Sequence, residues 1–457
     1  QVVLESDDTA RSEFLNKHPL KGALAGPGKS QSNLWFVEPT RLDQCGPALG
    51  RGAVWLDDDV TAGMPSEPFL FSGFAHRSLH LKHDGEAPVT FAIEVDTRGD
   101  GAWKTLRQIT VPAQGAIMVY FTAAETGAWV RLMAHSDVAG VTACFHYRAQ
   151  DNRGPEAAGI FDGIARVRDS RVSGGLLHAR GGDFKTLRLV ARNVTGELGC
   201  YDLDGELRLQ KTNDPAGLAW TREAVALTRS PFVLEAGAAV YQDAQGKRWR
   251  LPRGDAAFDQ PAPLGGERVC REVSTERNLL NVHGTFYELP AENAGGFIKL
   301  RPIATHNRRI TDFASYRGLL VISGITDEAD GDRIVRSEDG RCALWVGAVD
   351  DLWALGKPRG TLGVWRETAV QAGVPSDACL VTGYDRKRLT LSHAGGETVG
   401  FRLEADFTGT GAWAEVETLT VRPGELWEQA FPDGFGAYWL RLIPDREVTA
   451  TATLIYE

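Results

Sequence analysis

The chain has 457 residues, 43% of them hydrophobic and 24% charged, and a formal net charge of −10. That acidity excludes a general nucleic-acid binder, which carries a basic stripe or face. No apolar run reaches the roughly 18 residues of a membrane-spanning helix, and the length exceeds what one ordinary core holds, so a repeat array or several modules are expected.

The chain opens on Gln1 with neither an initiator Met nor a signal peptide, as a trimmed product would. Residues 1–32 are polar, carry Gly26-Pro27-Gly28, and read as an N-terminal arm. Residues 33–147 form a first unit, 148–342 a central portion, and 343–457 a second unit. Moved by 310 positions, residues 33–132 fall on 343–442 without a gap, and 32 of the 100 pairs are identical. Retained pairs include Trp35/Trp345, Trp55/Trp365, His83/His393, Glu94/Glu404, Asp96/Asp406, Trp103/Trp413, Trp129/Trp439 and Arg131/Arg441. These are turn formers, apolar anchors and alternating strand residues.

Within each unit the apolar period is two. Val89–Asp96 and its copy Val399–Asp406 alternate as a half-buried strand does. About nine strand-like segments per unit are bounded by Gly, Pro and Asp clusters. A tight Asp/Gly turn followed by an aromatic residue recurs at Asp96–Trp103, Asp243–Trp249, Ser337–Trp345 and Asp406–Trp413. An Asp side chain caps such a turn, Gly supplies positive φ, and the aromatic packs between sheets. The layout resembles the Asp-box hairpins of sialidase-like propellers. The fold expected is therefore all-β: a single β-propeller over 33–457 of about seven four-stranded blades, at roughly 60–65 residues each. Each repeated unit supplies two blades and the centre three. The rival is a pair of β-sandwiches with an unrelated centre, since about 110 residues also suits a sandwich.

At the repeat offset Cys45 falls on Leu355, Cys379 on Phe69 and Cys144 on Leu454. A cysteine in place of a large apolar residue reads as a buried free thiol. Cys200 and Cys270 have no counterpart and are the pair most suited to a disulfide. His83 and His393 hold the same place in both units and read as structural hydrogen-bond formers. His76 and His80 occur only in the first unit.

Residues 277–317 stand apart. Six Lys/Arg face three Asp/Glu there, in an acidic chain. His283, Tyr287, Glu288, Asn293, Arg301, His306, Arg308, Arg309 and Tyr316 break the alternation without recurring elsewhere, which marks a candidate site. Trp353 is matched by Asp43 in the first unit and is free to stack on a sugar ring. Arginines neutralise a carboxylate, a neutral His takes a proton and Tyr returns one. That set suits β-elimination on a uronic acid.

The combination resembles the seven-bladed polysaccharide lyases of the ulvan and rhamnosyl-glucuronate lyase type, and related propeller rhamnosidases. The resemblance implies a secreted or periplasmic monomer cleaving a uronate-containing polysaccharide. It implies His283, Tyr287 and His306 as catalytic groups, with Arg301, Arg308, Arg309, Glu288, Asn293, Tyr316 and Trp353 binding substrate. Hydrolysis is the first alternative, with Glu288, Glu292, Asp312, Asp350 and Asp351 as available carboxylates. A non-catalytic carbohydrate- or protein-binding protein is the second. No cofactor is implied. The run Asp327-Glu328-Ala329-Asp330-Gly331-Asp332 has the ligand types for a structural Ca²⁺ without the EF-hand spacing. The partner expected is an oligo- or polysaccharide, with no nucleic acid and no membrane.

Overall fold

A computed structural model of the chain describes residues 2–6, 33–180, 186–227, 229–274 and 277–457. Most of the expected arm therefore lies outside the described residues. Strands β1 (Val2–Ser6) and β2 (Asn33–Val37) pair antiparallel.

After β2, the first repeated unit contains eight further strands: β3 (Leu49–Val60), β4 (Phe69–Leu70), β5 (His76–Lys82), β6 (Val89–Asp96), β7 (Trp103–Val111), β8 (Ala116–Phe121), β9 (Trp129–Ala134) and β10 (Val138–Arg148). They form two four-stranded sheets, ordered β3-β10-β5-β8 and β4-β9-β6-β7. First pairs with last: Leu49 lies opposite Arg148. This is an eight-stranded jelly roll. Its core holds Phe71, Leu79, Phe91, Ile93, Leu132 and Phe145, none with exposed surface.

The centre follows with β11 (Val172–Arg180), β12 (Thr186–Arg192), β13 (Leu198–Leu203) and β14 (Leu209–Thr212), then helix α1 (Pro215–Ala224), β15 (Phe232–Leu234), β16 (Ala239–Gln242) and β17 (Arg248–Leu251). Next come β18 (Cys270–Ser274), β19 (Arg277–Val282), β20 (Thr285–Pro290) and β21 (Arg301–Thr305), then β22 (Asp312–Tyr316), β23 (Leu319–Ser323), β24 (Ile325–Thr326), β25 (Ile334–Arg336) and β26 (Ala343–Gly347). Three antiparallel sheets result: β14-β13-β12-β11-β24, β18-β19-β20-β21 and β22-β23-β26-β25.

The second unit repeats the first: β27 (Gly360–Val370), β28 (Ala378–Leu380), β29 (Lys387–His393), β30 (Val399–Asp406), β31 (Trp413–Val421), β32 (Trp427–Ala430), β33 (Trp439–Pro444) and β34 (Val448–Tyr456). One sheet runs β27-β34-β29-β32. The other, β28-β33-β30-β31, is extended by β17, β16 and β15.

The propeller expectation is corrected here. A blade is a meander in which sequence neighbours pair, whereas both repeated units close on themselves by pairing their ends. Each is a sandwich, as the rival architecture required. The chain resolves into two compact units: residues 1–46, 153–233 and 253–360 in one, and 47–152, 234–252 and 361–457, with both jelly rolls, in the other.

Trp35 and Trp345 lie outside the jelly rolls, on β2 and β26, and the other repeated residues serve jelly-roll packing. Asp96 accepts from the backbone N–H groups of Arg98, Gly99, Asp100 and Gly101 at 2.7–3.3 Å. Gly99 and Gly101 have φ of +74° and +82°, which a Cβ would strain. Burial works against the Asp96 charge, but the four donors hold its pKa below the usual carboxylate value. Asp406 makes the matching bonds to Thr408, Gly409 and Gly411. Arg131 binds Glu94 at 2.8 Å and lies over Trp103, and Arg441 binds Glu404 at 2.7 Å and lies over Trp413. His83 and His393 each accept a glycine N–H at Nδ1 and approach a valine carbonyl through Nε2.

The jelly rolls meet through residues only one copy has. His80 stacks on Phe407 with ring centroids 4.2 Å apart, and His146 stands edge-on to the same ring. Ser78 donates to the Gly434 carbonyl at 2.8 Å, and Arg148 pairs with Asp385. All six cysteines are free thiols, so Cys200 and Cys270 do not pair. Cys144, Cys200, Cys342 and Cys379 are buried.

Candidate functional site

The basic segment 277–317 is built from two tight hairpins. β19 and β20 turn at His283-Gly284, and β22 and β23 at Arg317-Gly318. All four residues have positive φ, from +47° to +78°. That is a two-residue hairpin turn, whose twist matches the strands it joins. His283 is thus held at a turn rather than on a strand face.

Its ring is clamped on both sides. Nδ1 accepts the Gly254 N–H at 3.1 Å, and Nε2 lies 3.1 Å from Asp259 Oδ1. The accepting Nδ1 lone pair leaves the proton on Nε2, which donates to Asp259. Only 1% of the side chain is exposed. Burial lowers the His283 pKa, although Asp259 opposes it. His306 shares only half of this arrangement: Nδ1 accepts the Arg308 N–H at 3.1 Å, while the buried Nε2 has no hydrogen-bond partner among the described residues. Burial, with Arg308 and Arg359 nearby, lowers its pKa to about 3. Neither histidine has a free lone pair with which to take a substrate proton.

Phe258 links these groups. It sits on a short 3₁₀ turn, Ala256–Asp259, capped by the Asp255 side chain. Its ring centroid is 5.6 Å from that of His283 and 6.1 Å from that of His306, and the Arg309 guanidinium lies 5.0 Å from it. Arg309 also donates to the carbonyls of Ala257 and Gln260, both at 2.8 Å, and to Glu267 Oε2 at 3.2 Å. The structure therefore brings His283, His306 and Arg309 together around Phe258.

The remaining sequence candidates have other surroundings. Tyr287 and Tyr316 have no exposed surface and pack in the core. Arg308 is buried and donates to the Ile164 carbonyl and to Asp162. Arg301 pairs with Glu288 away from the histidines. Asn293 and Glu292 are exposed on a 3₁₀ turn. Trp353 is 9% exposed, with Arg153 over its ring.

Asp312 has no exposed surface and serves as a rivet. Arg268 grips it with two bonds of 3.0 and 3.1 Å, Leu177 N–H donates at 2.9 Å, and Arg271 reaches from Asp312 to the Phe313 and Leu177 carbonyls. Asp351 is held by Arg41 and the Ala348 N–H. Asp327 pairs with Arg171. No cluster of three metal-ligating side chains occurs among the described residues.

Two carboxyls escaped the sequence reading: Asp259, next to Phe258 in the chain, and Glu267, held by Arg309. Glu267 has its pKa pushed up to about 7 by burial, against the pull of Arg309. Asp259, 39% exposed, is held below the usual range by the His283 hydrogen bond, with help from Arg253 and against its partial burial. Glu267 follows a Pro/Gly-rich stretch, and no local pattern distinguishes it. Only the tertiary environment moves its titration.

No protein-family model matches the sequence, and no curated protein matches it. Solved structures that align with it include the PBSX exported protein XepA, at 6% identity over 93% of this chain and 90% of that one, with a TM-score of 0.18. A truncated AlyQ with CBM32 and alginate lyase domains aligns at 7% identity over 100% and 98%, TM-score 0.16. A glycoside hydrolase family 32 structure from Bifidobacterium adolescentis aligns at 9% identity over 88% and 97%, TM-score 0.15. Glycan-active enzymes are thus among the weak neighbours, and likeness at this level establishes neither fold nor activity.

Proposed function

We propose that the chain is a glycan-active enzyme of the hydrolytic kind, with Glu267 as proton donor and Asp259 as its carboxylate partner. The supporting observation is the opposed titration of these two groups on one frame, Phe258 and Arg309: one carboxyl is raised to about 7, the other held low. A pair pushed apart in this way can hold an acid and a base at the same pH. Glu267 gives its proton to the leaving glycosidic oxygen, and Asp259 stays ionised to assist attack at the anomeric carbon. Arg309 restrains Glu267, and Phe258 holds the two sides in register.

The hydrolytic reading is preferred to elimination because of where the protons sit. A lyase needs an open base and a reachable acid. His283 and His306 both spend their Nδ1 lone pair on a backbone N–H, and Tyr287 is fully buried. A panel of neutral and acidic glycans tests the proposal. New reducing ends without ultraviolet absorbance from an unsaturated uronate support hydrolysis. Unsaturated products return the site to the lyase reading. Affinity without any product favours a binding protein.

A further inference from the structure

The duplication supplies an internal template for a docking site. In the second jelly roll, β28 does not end its sheet. β17 adds to it in parallel, with Trp249 opposite Ala378 and Arg250 opposite Cys379. Trp249 packs edge-on against Trp439 at 4.6 Å. Lys247 lies over Trp249 at 3.9 Å. Arg248 and Arg250 both bind Asp377, at 3.0 and 2.8 Å, and both bind Glu235. Trp439 and Leu380 are left with no exposed surface.

Among the described residues, no strand adds to the same edge in the first jelly roll. β4 ends its sheet, in the order β4-β9-β6-β7. Trp129 stands where Trp439 does and is 39% exposed, and Leu70, in the place of Leu380, is 43% exposed. The two lie opposite each other across β4 and β9. Glu67 takes the place of Asp377, is exposed, and makes no ion pair among the described residues. Phe71 N–H bonds inward to the Ala128 carbonyl. Alternation then points Leu70 and Pro68 outward. Pro68 replaces Ala378 and removes one donor, which shortens the edge but leaves the Pro68 carbonyl and both Leu70 backbone groups available.

We propose that the β4 edge of the first jelly roll binds a strand of a partner protein, with an aromatic residue flanked by basic ones. The aromatic side chain covers Trp129 and Leu70, the basic groups meet Glu67, and the backbone extends the sheet, a recognised way of capturing peptides. The Arg248-Trp249-Arg250 strand of this chain shows the chemistry that fits. In a second copy that strand is already spent on its own β28, so the occupant is a different protein.

A synthetic peptide of residues 238–252 is the probe, titrated into the full chain and followed by calorimetry. Saturable one-to-one binding is expected. Glu67→Lys and, separately, Leu70→Pro should each weaken it at least about 10-fold, as should Trp249→Ala in the peptide. The circular dichroism and melting temperature of both protein variants are compared with the parent, and Glu67→Lys, at an exposed position, serves if Leu70→Pro does not fold. Absence of saturable binding overturns the proposal, as does binding indifferent to Glu67→Lys and to the peptide's Trp249→Ala. A concentration-dependent dimer, seen without peptide and abolished by Glu67→Lys, also overturns it, in favour of a second copy of this chain.

Discussion

Acid should loosen the jelly-roll pair, and His80 gives the size of the effect. The ring is 3% exposed and stacked on Phe407. Burial, with Lys82 nearby, lowers its pKa to about 3. In the unfolded chain the value is about 6.5. The folded state therefore resists protonation, so stability is complete above pH 6.5 and falls as the pH drops from there towards 3. At pH 5 the unfolded state lies 1.5 units below its pKa, a loss of about 2 kcal/mol from this one ring. His146 acts in the same direction, because burial depresses its pKa as well. Lys387, pushed down to about 7 by burial, carries its main effect above that pH and acts equally in variant and parent. His80→Phe keeps a flat ring against Phe407 and removes the titration. Urea unfolding followed by tryptophan fluorescence at pH 7.5 and pH 5, at fixed salt, should show the variant losing about 2 kcal/mol less than the parent between the two. Equal losses in variant and parent would refute the assignment of a buried, neutral His80.

Three further outcomes follow from the packing. Trp439→Ala should destabilise by about 3–5 kcal/mol, and Trp129→Ala, at the matching but exposed position, by less than about 2, as read from thermal unfolding. Cys144, Cys200, Cys342 and Cys379 should resist a thiol reagent in the native protein, and all six cysteines should react once it is denatured without reductant. Arg309→Ala strips Glu267 of its cation and the Ala257 and Gln260 carbonyls of a donor. The Glu267 pKa, read by carboxyl NMR, should rise above the parent's, and stability should fall by about 2–4 kcal/mol.

The sequence shows the repeat clearly but not its architecture. An Asp/Gly turn followed by Trp and a period of two belong to any antiparallel hairpin, whether in a blade or a sandwich. What separates the two is long-range pairing, such as Leu49 with Arg148, and no local pattern encodes it. The irregular stretch 277–317 also had a structural cause. His283 and Arg317 occupy positive-φ turn positions, and Arg308, Arg309 and Asp312 tie buried backbone together. Polar groups that break alternation mark rivets as readily as sites. Three of the predicted residues, His283, His306 and Arg309, do meet at Phe258. Glu267 and Asp259 went unnoticed because burial and a neighbouring imidazole, not sequence context, set their titration.

The pH dependence of glycan cleavage by the parent, Glu267→Gln and Asp259→Asn tests the central claim most directly. The expected result is reducing-end product from the parent, an alkaline limb with an apparent pKa near 7 from Glu267, and loss of at least about 100-fold in kcat for either variant. A Glu267→Gln variant that cleaves as fast as the parent, or a product with the absorbance of an unsaturated uronate, would contradict it.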